Sequence, residues 1–201
     1  MRLDEFLSAL DRNPDYRGQV VYAAPVPPHA PEYAEIALRP RVAAALDRRG
    51  IRLYRHQAEA IEALRAGCDV IITTPTASGK TLAFHVPTIE WLSDDPTATA
   101  LYLYPLKALA NDQLEKLSSL DEECGARLLP STYDGDTPQQ KRAGIRRSAR
   151  VVLTNPHALH QYLPWHHQWA RLFANLKLVV LDEAHHYRGV GGGNVAELLA
   201  R

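Results

Sequence analysis

Apolar positions along the chain change period twice. Near the N-terminus, Leu3, Phe6, Leu7 and Leu10 recur at helical spacing, and the Pro-rich run AAPVPPHAPEY that follows favours extended backbone. Residues 1–35 are therefore expected to form an arm. From Pro40 the spacing of Val42, Ala45 and Leu46 predicts a helix closed by Gly50, and a second helix is expected over His56 to Ala66, ending at Gly67. Beyond that point short apolar runs alternate with helical patterns. The runs Val70–Thr74, Ala98–Tyr104, Arg127–Tyr133, Val151–Thr154 and Leu176–Leu181 are expected to be strands. The stretches Thr81–Leu92, Leu106–Leu117, Pro138–Arg147 and His157–Leu163 are expected to be helices. Such alternation predicts an α/β domain over 36–201, a parallel sheet sandwiched by helices, with its ligands at the carboxyl ends of the strands. No internal repeat or low-complexity tract interrupts it.

Composition adds mainly exclusions. The 201 residues suffice for one sizeable core, and 46% hydrophobic with 23% charged residues is the balance of a globular protein. No apolar run approaches the ~18 residues of a membrane span, and the N-terminus lacks the apolar core of a signal peptide, so a cytoplasmic location is expected. Cys68 and Cys124 are far apart and form no CxxC pair, which supports neither a disulfide framework nor a zinc site. Basic and acidic residues number 23 each. Net charge therefore gives no sign of a nucleic-acid partner, and any such reading must come from motifs.

The most specific motif is TTPTASGKT, Thr73 to Thr81, placed after an apolar run and at the start of a helical one. Amides of Thr76, Ala77, Ser78 and Gly79 can face phosphate oxygens, aided by the helix N-terminus. Lys80 can reach the β- and γ-phosphates, and the Thr81 hydroxyl can ligate Mg²⁺. The strict P-loop pattern has glycine where Thr74 stands. A second motif, VVLDEAHH from Val179 to His186, places Asp182 at a strand's carboxyl end for Mg²⁺, and Glu183 to orient or deprotonate a water. Together the two motifs point to ATP. In LYRHQAEAI, Leu53 to Ile61, Gln57 could pair with an adenine edge, with Tyr54 or Arg55 near the base; a polar position on an amphipathic helix is the plainer alternative.

With these motifs the chain from about residue 50 resembles superfamily 2 DEAD/DEAH-box helicases, in the N-terminal RecA-like domain. The form xPTxSGKT is similar to that family's motif I, where the first glycine is often absent. YPLKALANDQ resembles motif Ia, STYDGDTP the following GG-type loop, and LTNPHALH motif Ib. The resemblance implies that these loops grip the backbone of one nucleic-acid strand, independent of sequence, through Pro105, Lys107, Asp134, Gly135, Thr154, Asn155 and Pro156. Lys107 equally suits a solvated helix residue, and Thr154–Pro156 a turn with an N-cap. The basic stretch Lys141 to Arg150 reads more simply as a solvated helix face.

A narrower likeness lies in LPWHHQWARLFANLKLVVLDEAHHYRGVGGGNVAELLAR, which resembles the branch of mitomycin repair factor A and the RecQ-like Hrq helicases. Tyr187, Arg188 and Gly189, a glycine-rich turn at Gly191 to Gly193 and a helix from Val195 carry it. The likeness implies an ATP-dependent DNA helicase of 3′→5′ polarity linked to repair, with His185 coupling motif II to other loops. His157, His160, His166, His167, His185 and His186 have no partner cysteine or carboxylate at ligand spacing, so no metal beyond nucleotide-bound Mg²⁺ is expected. The resemblance also places motif III, further strands, a second RecA-like domain and its arginine finger beyond Arg201. This polypeptide alone is accordingly expected to bind ATP weakly and to hydrolyse it negligibly. Two alternatives stay open: an RNA helicase or translocating nuclease subunit, and a non-catalytic ATP- or nucleic-acid-binding module.

Overall fold

The computed structural model describes residues 3–16, 18–19, 22, 30–74 and 78–200. They divide into two units, Met1–Pro31 and Glu32–Arg201. The first contains helix α1 (Leu3–Arg12), whose apolar positions share one face. The second begins with α2 (Pro40–Arg48) and α3 (Arg55–Arg65), closed by Gly50 and Gly67 with φ of 62° and 81°. After α4 (Thr81–Asp94) the chain alternates through β1 (Thr99–Leu103), α5 (Lys107–Cys124), β2 (Ser131–Thr132), α6 (Gln139–Ser148) and β3 (Val151–Thr154). It continues through α7 (Pro156–Tyr162), α8 (Ala170–Ala174), β4 (Leu176–Leu181) and α9 (Gly189–Leu199). Among the described residues no helix is long and apolar enough to cross a membrane, and Cys68 and Cys124 are both free.

The four strands pair in parallel in the order β2–β3–β1–β4. β1 is buried along its whole length, and its side chains alternate between two cores. Ala100 and Tyr102 join Val42, Ile61, Val86, Ile89 and Leu117 on one face. Leu101 and Leu103 join Tyr133, Leu159, Trp169 and Leu172 on the other. Helices thus cover both faces, which is the arrangement a buried parallel sheet requires.

Two buried charged groups tie the layers. Glu90, 3% exposed, accepts from Arg65 Nε at 3.1 Å and from Arg65 Nη2 at 2.7 and 2.8 Å, and from the Arg39 amide at 3.0 Å, linking α3, α4 and the segment before α2. At the foot of β3 the Arg150 guanidinium donates to the carbonyls of Ala98 (3.2 Å), Asp95 (2.7 Å), Ala126 and Leu92. It thereby satisfies the orphan carbonyls at the end of α4.

Three expectations are corrected. Residues 70–74 form no strand: among the described residues no neighbouring strand completes a ladder with them, and Ile71 remains 90% exposed. The expected strand Arg127–Tyr133 shrinks to Ser131–Thr132. Arg127 and Leu129 adopt φ of 57° and 50°, and the Leu128 amide bonds the Asp121 carboxylate at 2.9 Å, which breaks the extended run. The glycine-rich run 191–193 is not a turn but lies inside α9. A Cβ at Gly192 would stand 2.5 Å from the Tyr187 carbonyl oxygen, so only glycine lets the helix pack that close.

His85, on α4, is 1% exposed and lies parallel to Tyr102 at 5.9 Å, edge-on to Phe84. Burial, with Lys116 adding repulsion, lowers its pKa to about 3. The unfolded chain binds this proton below about 6.5 whereas the folded chain does not, so stability falls as pH drops from that value toward 3. Between pH 7 and pH 5 the His85→Leu variant is expected to lose about 2 kcal/mol less stability than the parent. Urea denaturation at the two pH values checks this; equal losses would contradict it.

Candidate active site

Parallel pairing sets the geometry of the site. Leu103 at the end of β1 is in register with Thr154 of β3 and Leu181 of β4, so the three following loops leave the sheet side by side. The Asp182 amide bonds the Leu103 carbonyl at 3.0 Å and the Tyr104 amide bonds the Thr154 carbonyl at 2.9 Å, carrying the alignment one residue further.

Thr81 opens α4, and Lys80 precedes it in helical conformation. The Lys80 ammonium donates to the Thr74 carbonyl at 2.9 Å, and the Thr74 and Ser78 hydroxyls share a 2.7 Å bond. Gly79 has φ of 77°, and a Cβ there would meet the Gln57 side-chain nitrogen at 2.9 Å. Thr76 and Ala77 lie outside the described residues. Gln57 is buried and bonded at both ends: its Nε2 donates to the Gly79 carbonyl at 2.6 Å, and its Oε1 accepts from the Tyr54 amide at 2.8 Å. In this conformation it braces the phosphate loop. Contact with a base would require one of those bonds to be exchanged.

Tyr54 lies between the rings of Tyr33 (5.3 Å) and His56 (5.7 Å), with the Arg52 guanidinium over Tyr33 at 4.4 Å. Arg55 points elsewhere, to an ion pair with Glu32 at 3.0 Å. Tyr33, Tyr54, Gln57, Gly79, Thr81 and His85 all line one cavity of about 480 Å³.

On the other side of the loop, Asp182 accepts the Glu183 amide through Oδ1 at 2.9 Å. Burial pushes its pKa above the usual carboxylate range and the Glu183 carboxylate adds to this, against the Glu183 amide, Lys80 and His185. The Lys80 charge thus acts on Asp182, which links the two motifs electrostatically. Burial also raises the hydroxyl of Tyr187 to about 12, with Asp182 contributing. Glu183 has φ 49° and ψ 42°, and its carboxylate lies 3.2 Å from His185 Nδ1. Contrary to the sequence reading, a carboxylate does stand at ligand spacing from histidines: Glu183, His185 and His186 each bring one donor atom within 4.8 Å of the others.

Five of the seven residues expected to hold nucleic acid line two separate cavities, and Gly135 and Thr154 line neither. Pro105, Asn155 and Pro156 line one of about 690 Å³, together with His157, His186 and Tyr187. Lys107 and Asp134 line another of about 360 Å³. Lys107 is paired with Asp136 at 2.5 Å, which raises its pKa. Asp136 was missed by sequence reasoning, although a carboxylate in the loop facing motif Ia is a natural counter-charge. The Asp134 carboxylate accepts the Asp136 amide at 2.8 Å, and the Gly135 carbonyl takes Arg142 at 3.4 Å. Thr154 is buried with its hydroxyl given to the Tyr133 carbonyl at 2.5 Å, and Asn155 caps α7 through the Ala158 amide at 2.8 Å. Both side chains thus hold the loop in shape.

Known proteins share this arrangement. The family described as DEAD/DEAH box helicase matches residues 54–201. The uncharacterized ATP-dependent helicase YprA of Bacillus subtilis is 45% identical over 163 residues, 80% of this chain and 22% of YprA. The ATP-dependent helicase HRQ1 of Saccharomyces cerevisiae is 38% identical over 99% of this chain and 19% of its own length. The crystal structure of the DUF1998 helicase MrfA bound to DNA and AMPPNP superposes with a TM-score of 0.89 at 40% identity, covering 99% of this chain and 28% of that one. The chain thus spans about a fifth of the curated relatives it matches. With a RecA-like parallel sheet and a family match running from Tyr54 to the last residue, the chain belongs to the DEAD/DEAH box helicase family, beside relatives of the Hrq and MrfA type.

Proposed function

We propose that residues 36–201 are the first motor domain of an ATP-dependent DNA helicase, binding ATP with Mg²⁺ and the backbone of one DNA strand, with residues 1–35 as an arm. The observation that carries this reading is that Lys80 and Thr81 stand at the start of α4 while Asp182 follows β4 half-buried, within reach of the Lys80 charge. The Thr74 carbonyl that now holds the Lys80 ammonium stands in for phosphate oxygens, to which Lys80 transfers when nucleotide enters. The Ser78 and Gly79 amides would add donors to the same phosphates. The Thr81 hydroxyl and Asp182 offer the hard oxygen donors that Mg²⁺ prefers, and among the described residues no hydrogen bond engages Asp182 Oδ2. A carboxylate destabilised by burial gains from a nearby cation, so the site fits the ion. Mg²⁺ held there would neutralise charge on the phosphates. Glu183 orients the attacking water, and His185, 3.2 Å from it, links that carboxylate to neighbouring loops. Tyr54 and the cavity beside it offer an aromatic face for the base.

The MrfA structure carries DNA and AMPPNP, and its 40% identity over nearly the whole chain supports DNA as the partner. Polarity (3′→5′) and a role in repair rest on likeness to the Hrq and mitomycin-repair branch.

The Lys80→Ala variant is expected to bind a fluorescent ATP analogue with Mg²⁺ at least about tenfold more weakly than the parent, since a charge-assisted phosphate contact is lost. Fluorescence titration checks this; equal affinities would refute the phosphate site. Asp136→Asn releases Lys107 from its ion pair and is expected to tighten single-stranded DNA binding by about two- to fivefold at low salt. Lys107→Ala should weaken it. Fluorescence anisotropy with a labelled oligonucleotide reads both, and no change in either would remove Lys107 from the DNA interface.

A further inference from the structure

The turn that follows β4 gathers more than the catalytic carboxylate. Glu183 takes the left-handed conformation, and the next three residues, Ala184–His186, form one turn of 3₁₀-helix. The His186 amide closes that turn on the Glu183 carbonyl at 2.9 Å, and the Tyr187 amide on the Ala184 carbonyl at 3.0 Å. The left-handed turn at Glu183 and the single 3₁₀ turn after it bring the side chains of Glu183, His185 and His186 together. The His185 and His186 rings lie 4.6 Å apart at 39°, and His185 Nδ1 is 3.2 Å from Glu183 Oε2. Two imidazole nitrogens and one carboxylate oxygen thereby lie within 4.8 Å of one another.

We propose that Glu183, His185 and His186 form a site for a transition-metal dication of the zinc class, distinct from the Mg²⁺ position at Thr81 and Asp182. Donor chemistry selects the ion: two imidazoles with one carboxylate suit Zn²⁺, whereas Mg²⁺ requires oxygen ligands in near-octahedral array. Ligand atoms around a tetrahedral zinc stand about 3.3 Å apart, as follows from bonds of about 2.0–2.1 Å. Even the widest pair here needs to close by only about 1.5 Å, within reach of side-chain rotation. Both histidines are exposed and Glu183 is half-buried, so an ion can enter from solvent and keep open positions for water. His186 also lines the cavity beside Pro105, Asn155 and Pro156, which places the ion between the nucleotide loop and a candidate nucleic-acid groove.

One consequence rests on the proposed role of Glu183: a metal that holds its carboxylate takes it from the attacking water, so the ion acts as a brake. The binding itself is independent of that role. Co²⁺, a coloured stand-in for Zn²⁺, is titrated into the tag-free chain without nucleotide and followed by visible absorption. One saturable equivalent, displaced by Zn²⁺ and not by equimolar Mg²⁺, is expected. His186→Ala should weaken it at least about tenfold, with the fold checked by circular dichroism, while paired His157→Ala and His160→Ala leave it unchanged. His186→Gln, which keeps the polarity of the turn, should behave as His186→Ala does. Absence of saturable absorption overturns the proposal, as does Co²⁺ affinity unaltered in both His186 variants or lost in the His157/His160 pair. Since no ATP is present, its failure leaves the Lys80 titration untouched.

Discussion

The register of β1 against both its neighbours is the constraint on which the site depends. Leu103 pairs with Thr154 on one side and Leu181 on the other, and all three strands run the same way. The residues that follow, Tyr104-Pro105, Asn155-Pro156 and Asp182-Glu183, must therefore emerge along one edge. A slip of one residue would turn Ala100 and Tyr102 toward the core built for Leu101 and Leu103. Burial on both faces makes such a slip costly, and the same burial that stabilises the sheet thus aligns the chemistry.

That edge works by placing opposed groups under tension. Asp182 is held where burial disfavours its charge, opposite Lys80, whose ammonium rests on a loop carbonyl. Gln57 clamps the Gly79 carbonyl, and glycine is needed there because φ is positive and the Gln57 nitrogen leaves no room for a Cβ. Lys107 is met by Asp136. Lys80 and Lys107 thus each have a protein partner, which under the proposed function a phosphate group would replace.

Much of this was legible in the chain. The alternation of apolar runs with helical spacing located β1, β3 and β4 to within a residue or so, since buried parallel strands are marked by continuous apolar runs. Motif spacing likewise put Lys80, Asp182 and Glu183 at strand and helix ends. What escaped had non-local causes. Residues 70–74 read as a strand because they are apolar, yet a strand also needs a neighbour. Arg127–Leu129 failed as a strand through a bond to Asp121 on the preceding helix, and the glycines at 191–193 lie inside α9, where Gly192 is needed for the close approach to Tyr187. The bond from the Thr154 hydroxyl to the Tyr133 carbonyl is a contact across the sheet that no local pattern encodes. The histidine cluster needed the left-handed turn at Glu183, a conformation that residue type alone does not announce.

The central claim is that the loop before α4 and the turn after β4 serve a single nucleotide site. Hydrogen–deuterium exchange of the chain with and without ATP and Mg²⁺ tests it most directly. The expected result is that peptides covering residues 78–85 and 179–187 gain protection together, at the same nucleotide concentration. Protection of one without the other, or of neither while nucleotide is bound, would contradict it.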